Sequence, residues 1–349
     1  MKQPDTHAIE RTVVTQKNNI SRDFLDTVLD DLGERPDLLP TVFRREVQLA
    51  AGLASNARSA KKAAPELIRA ARSAALMFVH AWHRNKSTFI PLDARLDVEL
   101  QGEVDPSFVS APAWIEAMWC ALACGDVFAQ QWLATVPPSR LAPAGVQHGR
   151  YAFALGEFLR SLVTRDGRHG EWLVQATEAS DDDDGDPLLE ATRDWADGID
   201  FPALRAAFHL LDEDQAGFEQ ALTELHEQHK RYWGNGENRL AVDGLLSLRG
   251  CALLRLGAQL KIKVGFASGY MPPAVWQAPA VPHPVRCPYC VVPLAAGARE
   301  CGPCGRAIQD APIELAAAAT AGPRTPCKSC AYPLHKLAVL CPQCRTARR

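Results

Sequence analysis

Residues 245–258 read LLSLRGCALLRLGA. Apart from Ser247, Arg249 and Arg255, every residue in this run is apolar or glycine. A surface helix carries one apolar stripe and a polar face, whereas a helix apolar nearly all round is buried among other elements. The run is therefore read as a central helix with other helices packed around it. Segments on either side carry the complementary pattern. Leu67, Ala71, Ala74, Phe78 and Trp82 recur at helical spacing, as do Leu155, Phe158, Leu159 and Leu162, and then Phe218, Ala221, Leu222, Leu225 and Tyr232. Each set makes one stripe that needs a partner to cover it. Short polar or proline-containing breaks separate these runs: GERP at 33–36, VPPS at 136–139, DDDDGDP at 181–187 and GNG at 234–236. Helices joined by short breaks fold back on one another as antiparallel hairpins. The expected class is mainly α, a multi-helix bundle built as a stack of antiparallel hairpins.

One segment breaks the helical pattern. In FIPLDARLDVEL (89–100) the residues Ile90, Leu92, Ala94, Leu96, Val98 and Leu100 alternate strictly with their neighbours. Period two means an extended strand or hairpin arm with one buried face. A small β element near 88–101 is expected between helical layers.

Composition agrees with this reading. The 349 residues are 47% apolar and 23% charged, with a formal net charge of −3. That excludes a disordered chain, a collagen and a disulfide miniprotein, and on a prior of about 150 residues per domain it suggests roughly two domains. No uncharged apolar run approaches the ~18 residues a membrane-spanning helix needs. The start, MKQPDTHAIE, lacks a basic region followed by an apolar one, so no secretory signal is expected and the cytoplasm is the expected location.

The charge is unevenly placed. From His283 onward there are nine Lys/Arg against three Asp/Glu, a formal +6, while the first 282 residues hold 29 against 38, a formal −9. The cysteines divide the same way. Eight of eleven lie between Cys287 and Cys344; Cys120, Cys124 and Cys251 sit in apolar helical contexts and are read as buried apolar residues. An odd count without an export signal argues for a reducing compartment and against a disulfide framework.

The tail contains an internal repeat. CPYCVVPLAAGARECGPCGRAI (287–308) and CKSCAYPLHKLAVLCPQCRTAR (327–348) align without gaps. Each has C-x2-C, ten residues, then C-x2-C, with Pro-Leu three residues after the second cysteine. Four thiolates about 2.3 Å from a Zn²⁺ ion make a closed tetrahedral site. Cys287, Cys290, Cys301 and Cys304 are read as the ligands of one zinc, and Cys327, Cys330, Cys341 and Cys344 as those of a second. Units this small bury little core, so metal binding supplies most of their folding free energy, on the order of 10 kcal/mol. A site closed by four cysteines has no open position for water, so the role is structural. Each filled site carries −2, which lowers the tail from +6 to +2. The only aromatics in the two units are Tyr289 and Tyr332. Nucleic-acid binding through a charged stacking platform is therefore disfavoured.

The boundaries follow. Residues 1–20 are read as an N-terminal extension and 21–270 as the helical body. MPPAVWQAPAVPHPVR (271–286), with five prolines in 16 residues, is read as a stiff polyproline II spacer. The first ribbon spans 287–308, a second linker 309–326 and the second ribbon 327–346.

No G-x-S-x-G, H-E-x-x-H, Walker A or G-x-G-x-x-G pattern occurs, and no catalytic residue is assigned; the chain is not expected to be an enzyme. GNGENR (234–239) lacks the third glycine and is read as a turn. His80 with His83 and His226 with His229 stand three apart on helices, without an evident carboxylate partner, and are read as ordinary surface or groove histidines. DDDDGDP lacks the spacing and closing Glu of a Ca²⁺ loop. It is read as a solvated acidic loop, with contact to a basic partner as the alternative.

The order of the body's segments resembles a known family. An Ala-rich helix pair precedes LDARLDVEL (92–100). PAWIEAMWCALACGDVFAQQWLAT (112–135) then joins a Trp-containing helix to an Asp-led one. FEQALTELHEQHKRYWG (218–234) follows, then the buried helix and ASGYMPPAVW (267–276). This arrangement is similar to the immunity 49 family of bacterial polymorphic-toxin systems, whose closing Ser-x-Tyr-Leu-Pro-like sequence is matched by Ser268, Tyr270, Met271 and Pro272. The resemblance covers roughly residues 20–276. The cysteine repeat resembles the double zinc ribbon family over residues 287–346 and departs from the usual immunity 49 ending.

The first resemblance implies a cytoplasmic protein that binds one cognate toxin, encoded by a neighbouring gene, and occludes it. A −9 body would speed encounter with a basic toxin domain. Large aromatics are favoured interface anchors. The residues assigned to partner contact are Asp181, Asp182, Asp183, Asp184 and Asp186 of the acidic loop, with Trp195 and Trp233. The second reading is a zinc-ribbon adaptor in transcription or RNA metabolism, and the third an enzyme that reverses toxin damage.

Overall fold

The computed structural model describes residues 6–82, 89–92, 97–141, 149–180, 188, 192–279, 325–326 and 333–334. Among these, eleven α-helices have four residues or more. The first three are α1 (Arg11–Val28), α2 (Leu39–Ala54) and α3 (Ala63–Trp82). They are followed by α4 (Ala111–Cys124), α5 (Val127–Ala134), α6 (Arg150–Thr164) and α7 (His169–Ser180). The last four are α8 (Phe201–Leu211), α9 (Gln215–Gly234), α10 (Leu248–Gln259) and α11 (Pro273–Trp276). The architecture is mainly α, as the periodicities predict.

Consecutive helices pair as hairpins: α2 with α3, α6 with α7, and α8 with α9. Each exposed stripe is thereby covered by its neighbour, and the pairs close around two inner helices. One is α10, which the run at 245–258 predicts; all ten residues from Leu248 to Gly257 are buried. The other is α4, which packs against α3, α5, α6 and α10. Trp114 and Trp119 of α4 and Trp132 of α5 are fully buried. Fully burying a large apolar side chain is worth roughly 1.5–3 kcal/mol, so this aromatic layer is a main source of cohesion. The Trp114 indole N–H donates to the Leu133 carbonyl at 3.1 Å, which joins α4 to α5 without an orphaned donor.

The α4–α5 corner is written locally. The Ser110 hydroxyl caps α4 by accepting from the Ala113 N–H. Gly125 ends it in the left-handed region, at φ 71°. The Asp126 carboxylate then caps α5, accepting from the N–H groups of Phe128 and Ala129. Its other oxygen takes a hydrogen bond from Arg72 Nε of α3 at 2.5 Å. A buried carboxylate is thus satisfied by a helix N-terminus and a cation together.

The alternating segment forms the expected small β element. Strand β1 (Phe89–Pro91) pairs antiparallel with β2 (Asp97–Glu99), with Ile90 opposite Val98. Leu92, Val98 and Leu100 are buried, so these three positions face the core. Residues 93–96, with Ala94 and Leu96, lie outside the described residues.

The body takes in residues read from the sequence as flanking segments. Helix α1 begins at Arg11, inside the span assigned to an N-terminal extension. Ahead of it His7 is buried, its backbone N–H donating to the Tyr270 hydroxyl at 2.5 Å. At the other end α11 lies inside the span assigned to a polyproline spacer, and Val275 is fully buried. Proline at the first helical position lacks an N–H that would be unpaired anyway, so Pro272-Pro273 starts a helical turn there. Arg255 of α10 secures the turn by donating to the Val275 and Ala278 carbonyls, each at 3.0 Å.

In the tail, β3 (Thr325–Pro326) pairs antiparallel with β4 (Pro333–Leu334) on either side of residues 327–332. The eight cysteines assigned to zinc lie outside the described residues. No helix among the described residues is long and apolar enough to cross a membrane.

Candidate functional site

A single buried cation organises the site. Arg249 is the second residue of α10 and is buried, and a charge there needs partners. Its Nε donates to the Asp200 carboxylate, and its terminal nitrogens donate to both carboxylate oxygens of Glu116 on α4. Burial by itself would lower the Arg249 pKa; Asp200 and then Glu116 outweigh it and hold the guanidinium above its ordinary value, firmly charged. The Tyr151 hydroxyl of α6 donates to the second Asp200 oxygen. Burial, reinforced by the Asp200 charge, pushes the Tyr151 pKa well up, so the phenol keeps its proton.

Asp200 is delivered by irregular backbone. A helical turn, Arg193–Trp195, runs into a π-helical turn, Ala196–Asp200, just before α8. The wider π turn changes which side chains face inward, and single π turns recur at functional sites. Here it turns Trp195 back onto Asp200, whose Oδ2 accepts from the indole N–H at 3.0 Å. The Arg249 guanidinium lies 5.1 Å above the Trp195 ring, a cation–π contact. One carboxylate thus accepts from Tyr151, Trp195 and Arg249, drawing α6, the π turn and α10 together.

Trp233, near the end of α9, meets Trp195 edge to face at 6.2 Å between ring centroids. Tyr232 adds a second edge contact to Trp195 at 5.5 Å. Such pairs are worth ~0.5–1.5 kcal/mol beyond the area they bury. The indole of Trp233 lies flat against Gly244, where a Cβ would come within 2.4 Å of a ring carbon. Only glycine permits that approach.

Trp195, Trp233, Arg249 and Glu116 border a cavity of about 320 Å³. Phe43 and Val47 of α2 form one side, Ala113 and Glu116 of α4 another, and Trp195 and Trp233 a third. Phe108 stands at the rim and is 42% exposed, one of three large apolar side chains among the described residues that reach solvent to that degree. Four charged residues border the space: Arg44, Arg249, Glu116 and Asp243. Their charges balance, so the cavity is apolar in character with polar groups set into its walls, the usual composition of a binding site.

Of the residues that the sequence assigns to partner contact, the structure brings Trp195 and Trp233 together, both half-buried on one wall. Asp181, Asp182, Asp183, Asp184 and Asp186 lie outside the described residues. Of the histidines read as surface or groove residues, His80, His226 and His229 are buried, and His229 borders the cavity. His80 Nε2 donates to the Gly102 carbonyl at 2.7 Å, His229 Nε2 donates to the Gly244 carbonyl at 2.9 Å, and His226 Nδ1 lies 2.7 Å from Ser268 Oγ. Residue 83 is outside the described set. Cys120, Cys124 and Cys251 are buried free thiols, as read. Among the described residues no three His, Cys, Asp or Glu side chains are placed to hold a metal ion.

Sequence reasoning missed Arg249, Asp200, Glu116 and Tyr151. One signal was available: an arginine inside an apolar run must find a counter-charge or carbonyl partners. Nothing local says where.

Comparison with known proteins converges on the helical body. No curated protein and no solved structure matches the chain. A family model described as immunity protein 49 matches residues 51–275, from the end of α2 to α11, which includes most of the cavity wall. That is well over half of the chain, and the chain belongs to the immunity protein 49 family.

Proposed function

We propose that this chain is an immunity protein that neutralises one cognate polymorphic toxin by stoichiometric binding in the cytoplasm. The observation that carries this reading is the family match over residues 51–275. It is supported by the half-buried pair Trp195 and Trp233, aromatic anchors of the kind that dominate protein interfaces. The first 282 residues carry a formal −9, which favours fast encounter with a basic toxin domain. Occlusion needs no turnover, so the protein acts as a binder and not as an enzyme. The two cysteine quartets, at 287–304 and 327–344, hold one structural Zn²⁺ each.

The test is co-expression of the toxin encoded by the neighbouring gene, with and without this chain. Rescue of growth together with a one-to-one complex on size exclusion is expected. Absence of both would sink the reading. Rescue without a complex, lost on changing one side chain, would point to enzymatic repair of the toxin's damage.

A further inference from the structure

We propose that the cavity between α2, α4, α9 and the π turn receives one bulky apolar side chain of the toxin, an aromatic anchor inserted at the centre of the interface. The proposal rests on the immunity reading and names the surface that carries it.

Three observations select this occupant. The first is the wall. Trp195 is held by the Asp200 hydrogen bond on its edge and by Arg249 over its face. Trp233 is seated on Gly244 and packed edge-on to Trp195. A rigid aromatic wall has little rotamer entropy left to lose when a partner arrives, which is what a preorganised anchor site requires. The second is charge. Arg44 and Arg249 balance Glu116 and Asp243 around the space, so the cavity offers no net field to an ionic group. The body as a whole is strongly acidic. A neutral apolar cavity on a body of formal charge −9 is the complement of a basic partner that presents one apolar anchor. The third is access. Phe108 is 42% exposed and Arg44 is exposed at the mouth, so the space opens outward and a side chain can enter without unfolding an element.

The space is also at the small end for a ligand pocket, which typically runs to about 300–1,000 Å³. A single large side chain suits that size.

The test uses the full chain and the toxin domain encoded beside it. Ala113→Trp fills the cavity from α4 and Val47→Trp fills it from α2. Binding is measured by calorimetry, with melting temperature as a check on folding. Each folded variant is expected to bind about tenfold or more weakly, the loss typical of a blocked hot spot. If the unchanged protein forms no complex, the immunity reading fails as well. If the complex forms and both folded variants bind as tightly as the unchanged protein, only the cavity assignment is overturned. Should neither variant fold, hydrogen exchange on the unchanged protein decides. Protection of residues 40–47 and 195–199 on toxin binding is expected, and unchanged exchange there overturns the assignment. Protection that appears with rising protein concentration and no toxin would place a second copy of this chain in the cavity. Release of a retained small molecule on denaturation would place that molecule there. Either result overturns the assignment.

Discussion

Arg249 carries a full charge into the middle of a helical stack, and four other side chains exist in their present geometry because of it. Asp200, Glu116 and Tyr151 complete a hydrogen-bonded set, and Trp195 is clamped between Asp200 and the guanidinium. Removing one member of a buried ionic set leaves the opposite charge uncompensated, which costs about 3–5 kcal/mol. Arg249→Met keeps most of the stem volume and removes only the cation, so urea unfolding should show a loss of that order. A loss under about 1 kcal/mol would mean that the set does not hold the core together. The arginine was visible in the sequence as one of two charges in an apolar run. Its partners were not, because Asp200 is 49 positions away and Glu116 is 133.

At the scale of elements, α9 places His226 and His229 three residues apart on one face, and both turn toward Tyr270. Their ring centroids lie 5.4 and 4.7 Å from that of Tyr270. His7, ahead of α1, stacks on the same ring at 5.8 Å. Four segments distant in sequence meet there: the N-terminal stretch, α9, the Gly244 loop and the strand of chain after α10. Burial pushes the His229 pKa down to about 3, against the Gly244 hydrogen bond that opposes it, and burial lowers His7 as well. A histidine whose folded pKa lies below its unfolded value stabilises the fold above the unfolded value, near 6.5, and loses that contribution as pH falls toward the folded value. Melting temperature should therefore decline steadily below pH 6.5, at a cost of at most about 1.4 kcal/mol per pH unit for each such histidine. His229→Gln keeps a donor for the Gly244 carbonyl and removes the titration. It should flatten the decline between pH 6.5 and 4.5; an unchanged slope would assign the acid sensitivity elsewhere. The i,i+3 spacing of these histidines was legible, but the sequence pattern suggested surface or groove positions. Burial depends on what packs over α9, and the Ser268–Tyr270 stretch that does so is about forty residues downstream.

For the whole molecule, an acidic helical body is followed by a basic cysteine repeat, and the two are expected to draw stability from different sources. The body buries a large apolar core and the repeat is proposed to bind metal. Purified protein should contain two zinc ions per chain by elemental analysis, and a value near zero in protein never exposed to chelator would contradict that. Stripping the metal should leave the helical circular dichroism and the main melting transition of the body nearly unchanged, because its core is self-sufficient.

The class of the fold, the central helix at 248–259, the strands at 89–91 and 97–99 and the capped corner at 110–126 were determined by the sequence itself. Each is written in residues a few positions apart, where periodicity and capping chemistry act. Tertiary structure alone decided that Trp195 and Trp233 share a wall, that Asp200 and Glu116 find Arg249, that His7 reaches Tyr270, and that a cavity remains where α2, α4, α9 and the π turn meet. Those outcomes depend on which helix faces come together over long loops, and that choice is made by packing the whole apolar surface at once and not by any local spacing.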